Sequence, residues 1–139
     1  MDEVAVRIVR RVNHREVVKL YREAGWWKPE YPAGASHIHS LVRNSFCFAG
    51  AFCKKRMVGM GRSLSDGMGD AYIQDVTVLN EFRGKGIGKK IILTILDCLR
   101  RRRIDWIGLI AEPGSERLYE ELGFKVLKNY TPMIWVGDE

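Results

Sequence analysis

Three glycines are spaced one apart in Arg83-Gly84-Lys85-Gly86-Ile87-Gly88-Lys89, directly behind the apolar run Val76-Thr77-Val78 and ahead of a helical pattern. Few arrangements satisfy that order. A strand must end, the chain must turn through conformations that favour glycine, and a helix must begin, so backbone N–H groups converge at the positive end of a helix dipole. Such a loop cradles an anion, and Arg83, Lys85, Lys89 and Lys90 add cations suited to a multiply charged phosphate ligand. A loop that only caps a helix explains one glycine well and three poorly.

Two better-known phosphate loops do not fit. A P-loop requires G-x-x-x-x-G-K-[ST], but the position five before Gly88 is Arg83, and Lys90 stands where a magnesium-binding Ser or Thr belongs. A dinucleotide fingerprint, G-x-G-x-x-G, begun at Gly84 and Gly86 would place its third glycine at 89, which is Lys.

The rest of the chain alternates strand-like and helical patterns with no repeat and no long linker. Val4 to Arg10 reads as an opening strand, and Arg15 to Ala24 as a helix capped by Asn13 or His14 and ended by Gly25. An aromatic, proline-punctuated loop from Trp26 to Gly34 leads to a second helix, Ala35 to Asn44. Phe46 to Phe52, Met57 to Ser65 and Ala71 to Val78 form an antiparallel meander. From Ile87, apolar Ile91, Ile92, Ile95, Leu96 and Leu99 recur at helical spacing up to Arg100-Arg101-Arg102-Arg103, where cations suit the negative end of the helix dipole. A strand, Trp106 to Ala111, completes a βαβ crossover and predicts one parallel pair. Ser115 to Leu122 reads as a short helix stopped by Gly123, and Lys125 to Leu127 and Met133 to Val136 as two last strands. The predicted architecture is α/β: a mixed, mostly antiparallel sheet flanked by helices.

A length of 139 residues suits one domain, and 46% apolar with 29% charged residues excludes both a bilayer protein and a disordered chain. The net charge of +6 points to an anionic ligand, nucleic acid or an acidic membrane surface. Met1 to Val12 has no targeting pattern and no apolar run approaches the roughly 20 residues of a membrane span, which places the protein in the cytoplasm. Cys47, Cys53 and Cys98 are odd in number and lack CxxC spacing, so they read as reduced, mostly buried thiols. His37 and His39 have no carboxylate or Cys at ligand spacing, and no metal is expected.

Arg83-x-x-Gly86-x-Gly88, on the tail of Asp75-Val76-Thr77-Val78, resembles the acyl-CoA pyrophosphate motif of the GNAT superfamily of acetyl-CoA-dependent N-acetyltransferases. Ala111-Glu112-Pro113-Gly114-Ser115-Glu116-Arg117-Leu118-Tyr119-Glu120-Glu121-Leu122-Gly123-Phe124 is similar to that family's tyrosine helix with its closing L-G-F. The order of elements matches from about residue 4 to 136. The resemblance implies a sheet with a central, splayed parallel pair into which the thioester enters, and a pantetheine arm paired with the backbone of Val76 to Val78, Thr77 between them. It implies a pyrophosphate held by the backbone N–H groups of Arg83, Gly84, Lys85, Gly86, Ile87, Gly88 and Lys89, with Ser115 along the cofactor near the last helix. Glu112 stands where the family often has Asn, and an ionised carboxylate cannot donate that residue's hydrogen bond.

Acyl transfer to an amine needs a neutral nucleophile, a stabilised oxyanion and a proton for the departing thiolate. By resemblance Tyr119 is the general acid and also borders the cofactor, and the Val78 or Val76 amide is the oxyanion donor. Asp75 is the nearest candidate base, with Glu30 or a water chain as alternatives. The resemblance puts the acceptor wall in the aromatic loop, at Trp26, Trp27, Glu30 and Tyr31, where ring faces and one carboxylate suit a cationic amine. Adjacent tryptophans also anchor loops to cores. The expected protein is an N-acetyltransferase moving acetyl from acetyl-CoA to a primary amine, with a dimer a family-level expectation. Two rival readings are a GNAT-like acyl-CoA sensor without acceptor chemistry, and a basic nucleic-acid-binding protein using Arg83 to Lys90 and Arg100 to Arg103.

Overall fold

The computed structural model describes residues 3–138. Its backbone falls into two compact units, Met1–Leu109 and Ile110–Glu139.

The first unit contains β1 (Val4–Ile8), α1 (His14–Glu23), α2 (Ala35–Asn44), β2 (Cys47–Cys53), β3 (Arg56–Leu64), β4 (Asp70–Val78), α3 (Ile87–Arg101) and β5 (Trp106–Gly108). Asn13 caps α1, its side chain accepting from the Arg15 N–H at 3.0 Å, and left-handed Gly25 turns the chain away at the other end. The five strands lie in sequence order, antiparallel from β1 to β4 and parallel between β4 and β5. The parallel pair therefore closes one edge of this sheet, where a central position was expected.

Helix α3 supplies much of the core. Its Ile87, Ile91, Ile92, Ile95 and Leu99 are all buried, as the 3.6-residue period predicts. Glycine in β3 lets it approach: a Cβ on Gly61 would stand 2.8 Å from Ile91 Cγ2. Arg62 alternates with Gly61 along β3 and meets Tyr21 and Asp75 in one cluster, so α1 and α3 serve opposite faces of the sheet.

Two further expectations are corrected. Cys47 and Cys98 are not reduced thiols: a disulfide joins them, their Cα atoms 6.7 Å apart across 51 positions of sequence. Local spacing could not reveal this pairing, because α3 is what brings its Cys98 over the start of β2. Of the three cysteines, Cys53 is free and half-buried.

The second correction concerns the end of the chain. The second unit holds α4 (Glu116–Glu121), but Lys125 to Leu127 and Met133 to Val136 form no strands. Met133, Ile134 and Trp135 are 84% or more exposed. Their apolar pattern expresses strand propensity, yet a strand exists only where a neighbour completes its hydrogen-bond ladder. Left-handed Asn129, and Pro132 with no N–H, lie between the two runs.

Candidate active site

Strand β4 is irregular where the site is expected. Met60 faces Thr77 and Arg62 faces Gln74, so a two-residue step on β3 spans three residues on β4. The extra residue makes a bulge, and Asp75 takes φ of 59° there. On the other side, β4 pairs with β5 only through Asp70, Ala71 and Tyr72. Among the described residues, 73–78 thus run on without a strand partner on that side, giving the splayed parallel strands that the resemblance implies. Thr77 is buried, while Val76 and Val78 are half-buried.

Beyond Val78 a short 3₁₀ turn, Asn80–Phe82, leads into the glycine loop. The turn is held from α1, where Glu23 Oε1 accepts the Asn80 N–H at 3.0 Å. Arg83 folds back, its Nε donating to the Val78 carbonyl at 3.1 Å, and its own N–H donates to the Asn80 carbonyl at 3.3 Å. The turn thus engages the Arg83 N–H, which was expected among the donors of the phosphate cradle. From Gly84 onward the loop is open. Gly84 and Gly86 have φ of 76° and 79°, and a Cβ at Gly84, Gly86 or Gly88 would meet nothing within 4 Å. Helix α3 makes its first backbone bond from the Lys90 N–H to the Gly86 carbonyl, so the N–H groups of Ile87 and Gly88 have no intrahelical acceptor. Lys85 Nζ lies 5.3 Å from the centroid of the Phe82 ring, which Arg56 also approaches at 5.5 Å. A cavity of about 350 Å³ bordered by Cys53, Phe82, Lys85, Ile87 and Lys90 adjoins the loop. Open space, converging donors and clustered cations fit the diphosphate of an acyl-CoA.

Asp75 sits in a polar cluster that local patterns do not show. Its Oδ2 accepts from Tyr21 Oη at 2.6 Å and from Arg62 Nε at 2.8 Å. Arg62 also donates to Ser45 Oγ at 3.3 Å. Burial, then the Asp75 charge, pushes the Tyr21 phenol far above its ordinary range and keeps it a donor. Along an unbroken strand Asp75 would share a face with Ile73 and Thr77; the bulge breaks that alternation.

The aromatic loop meets the same cluster. The Trp26 and Trp27 rings pack 6.2 and 6.0 Å from Tyr21, and Tyr31 stands edge-on to Trp27 at 5.5 Å. The tryptophans thus anchor the loop as well as shape it, and Glu30 is exposed. At the far end of α3, Arg101 pairs with Asp97 at 3.1 Å and Arg102 lies over the Phe46 ring at 4.8 Å. Two cations of the Arg100 to Arg103 run are therefore engaged within the fold.

In the second unit, left-handed Gly123 ends α4 and turns Phe124 back onto Tyr119, ring centroids 5.7 Å apart. Burial, and then the Glu112 charge, raises the Tyr119 phenol above its ordinary range. Ser115 Oγ donates to the Glu112 carbonyl at 2.7 Å, so that hydroxyl shapes the turn before α4. The structure gathers Tyr21, Arg62, Asp75, Trp26 and Trp27 at one place. Tyr21 and Arg62 went unnoticed in the sequence, where Tyr21 reads as part of the apolar face of α1 and Arg62 as one strand cation among many.

A family model described as the Acetyltransferase (GNAT) family matches residues 12–124. The chain belongs to that family. Its members take the acetyl group from acetyl-CoA, and this chain carries their acetyltransferase domain. It is 32% identical over 117 residues to the uncharacterized N-acetyltransferase ycf52 of Gracilaria tenuistipitata var. liui, covering 81% of this chain and 62% of that protein. It is 36% identical over 72 residues to GCN5-related N-acetyltransferase 2, chloroplastic, of Arabidopsis thaliana, covering 52% of this chain and 28% of that protein. The chain spans about two thirds or less of the length of these curated relatives. A GNAT family acetyltransferase of Streptococcus pneumoniae shares the fold, with a TM-score of 0.81 at 23% identity over 99% of this chain and all of that one.

Proposed function

We propose that the chain moves an acetyl group from acetyl-CoA to a primary amine by direct attack, without a metal. The observation that carries this reading is the open glycine loop at the end of a bulged strand that leaves its parallel neighbour after three residues.

Bound acetyl-CoA supplies a thioester activated toward amines. The backbone N–H groups of Gly84, Lys85, Gly86, Ile87, Gly88 and Lys89 hold its phosphates. Val76 to Val78 offer backbone partners to the arm, and the Val76 or Val78 amide stabilises the developing oxyanion. Tyr119 stays protonated at neutral pH and gives its proton to the departing sulfur. Trp26, Trp27, Glu30 and Tyr31 line the acceptor side, where ring faces and a carboxylate favour a cationic amine that must then lose a proton. Glu30, a water chain and Asp75 are the candidates for taking that proton.

We read the chain, residues 1–139, as one domain, a length that suits a single core. We place it in the cytoplasm, which cell fractionation against organelle markers checks. The test of function is release of free thiol from acetyl-CoA over a panel of polyamines, amino acids, aminoglycosides and peptides. Acceptor-dependent thiol release supports the reading. Tight CoA binding with no release across the panel favours a sensor instead, and polyanion binding that CoA does not compete away favours the nucleic-acid reading.

A further inference from the structure

We propose that Tyr21 and Arg62 are positioning residues for acetyl-CoA. By binding the Asp75 carboxylate from two other elements, they hold the β4 bulge that leaves Val76 to Val78 open to the thioester. This rests on the reading that β4 receives the cofactor arm.

Asp75 is the residue on which the strand's path depends. It has φ of 59°, in the left-handed region that L residues other than Asn and Asp rarely visit. Such a conformation inside a nine-residue strand persists only when its surroundings impose it. Here the surroundings are specific. Tyr21 reaches Asp75 from α1 at 2.6 Å and Arg62 reaches it from β3 at 2.8 Å, both on Oδ2. The Arg62 and Asp75 side chains are only 14% and 22% exposed, so solvent screens this charge-assisted pair weakly. The guanidinium is fixed in turn by Ser45, whose Oγ donates to the Leu41 carbonyl at 2.8 Å at the end of α2. Three elements, α1 and β3 directly and α2 through Ser45, thus fix one carboxylate.

What the bulge controls follows from register. Were Asp75 to relax into extended backbone, the three-residue step opposite Met60 and Arg62 would shorten to two, and every residue beyond it would shift by one. The backbone groups of Val76 to Val78 would then exchange their directions. The clamp also borders the acceptor loop, since Trp26 and Trp27 pack on the Tyr21 ring. Tyr21 therefore links the wall that receives the amine to the strand that receives the thioester.

Glycine adopts a left-handed conformation unaided, which separates this role from general stability and from base catalysis. The variants are Tyr21→Phe, Arg62→Gln, Asp75→Asn, Asp75→Gly and Asp75→Gly with Tyr21→Phe. Two readouts are CoA affinity by calorimetry and amide hydrogen exchange of residues 72–78 without ligand. Tyr21→Phe and Arg62→Gln should each weaken CoA binding roughly tenfold, about 1.4 kcal/mol, and should speed exchange in that segment. Asp75→Gly should bind CoA within about threefold of wild type, and adding Tyr21→Phe to it should change affinity no further, the non-additivity of a shared function. Unchanged affinity and exchange in Tyr21→Phe would overturn the proposal, whatever happened to its melting temperature. So would Asp75→Asn that binds CoA normally yet loses the acidic limb of the kcat–pH profile, which would make Asp75 the base. Were wild-type protein not to bind CoA, the assignment of the cofactor site would fall, while exchange in the unliganded variants would still decide the clamp.

Discussion

Replacing Gly86 by Asn separates cofactor binding from folding, because the backbone cost of the change can be matched elsewhere. Gly86 has φ of 79° with open space around a Cβ; Gly67 has φ of 84° with only an ordinary 3.4 Å contact to Phe46. Asn tolerates the left-handed region better than other side chains, so each substitution should cost at most about 1 kcal/mol, or roughly 2–5 °C in Tm for a chain of this size. The two sites differ in what the new side chain occupies. Gly67 lies ahead of β4 and Gly86 beyond its far end, separated by a nine-residue strand of about 30 Å. At Gly86 the amide group enters the space over the N–H groups that open α3. Losing a single hydrogen bond from those donors to a charged phosphate costs about 1.5–3 kcal/mol, so CoA should bind roughly 10- to 150-fold more weakly. Differential scanning fluorimetry reads the folding cost and calorimetric titration with CoA reads the binding. Similar Tm shifts with loss of affinity only in Gly86→Asn are expected. Equal affinities in the two variants would refute the cradle, leaving the glycines as turn residues.

Tyr119→Phe should lower kcat by about 10²- to 10⁴-fold; undiminished turnover would remove the acid role. A general acid works only while protonated, so the raised Tyr119 phenol extends activity toward alkaline pH, and Glu112→Gln, by removing a charge that raises it, should move the alkaline limb of the kcat profile to lower pH. An unmoved limb would dissociate Glu112 from the acid. Closing a loop of 51 positions, the Cys47–Cys98 disulfide contributes about 4 kcal/mol at most in the chain-entropy view. Iodoacetamide should label one thiol, Cys53, without reductant and three after reduction, and the reduced protein should melt lower; three labelled thiols from the start would contradict the link. Gly61→Ala should cost about 1–3 kcal/mol by overpacking against Ile91, seen as a lower denaturant midpoint at unchanged m-value.

The sequence made much of this architecture legible because its signals are local. Helix α3 announces itself through five isoleucines and leucines at one period, and α2 is bounded as expected because Gly34 and Ser45 flank it with extended backbone. The glycine loop was readable because left-handed turns favour one residue type. The clamp on Asp75 was hidden, since positions 21, 62 and 75 become neighbours only once α1 lies against the β3–β4 pair. The disulfide was hidden for a similar reason, being a product of packing rather than spacing. The runs at 125–127 and 133–136 failed in the opposite way: their pattern was clear, but a pattern names no partner.

The cradle proposed between β4 and α3 would draw its donors from the main chain, and that decides which of its residues selection can see. A saturation scan should find Gly84 and Gly86 closed to nearly every substitution, whereas Lys85, whose side chain leans over Phe82, should accept many. Searches for cofactor sites that rank positions by charged or hydrogen-bonding side chains would pass over the residues that matter most. Chemical identity can drift along such a segment while the path of the chain, and with it the memory of the ligand, is inherited intact.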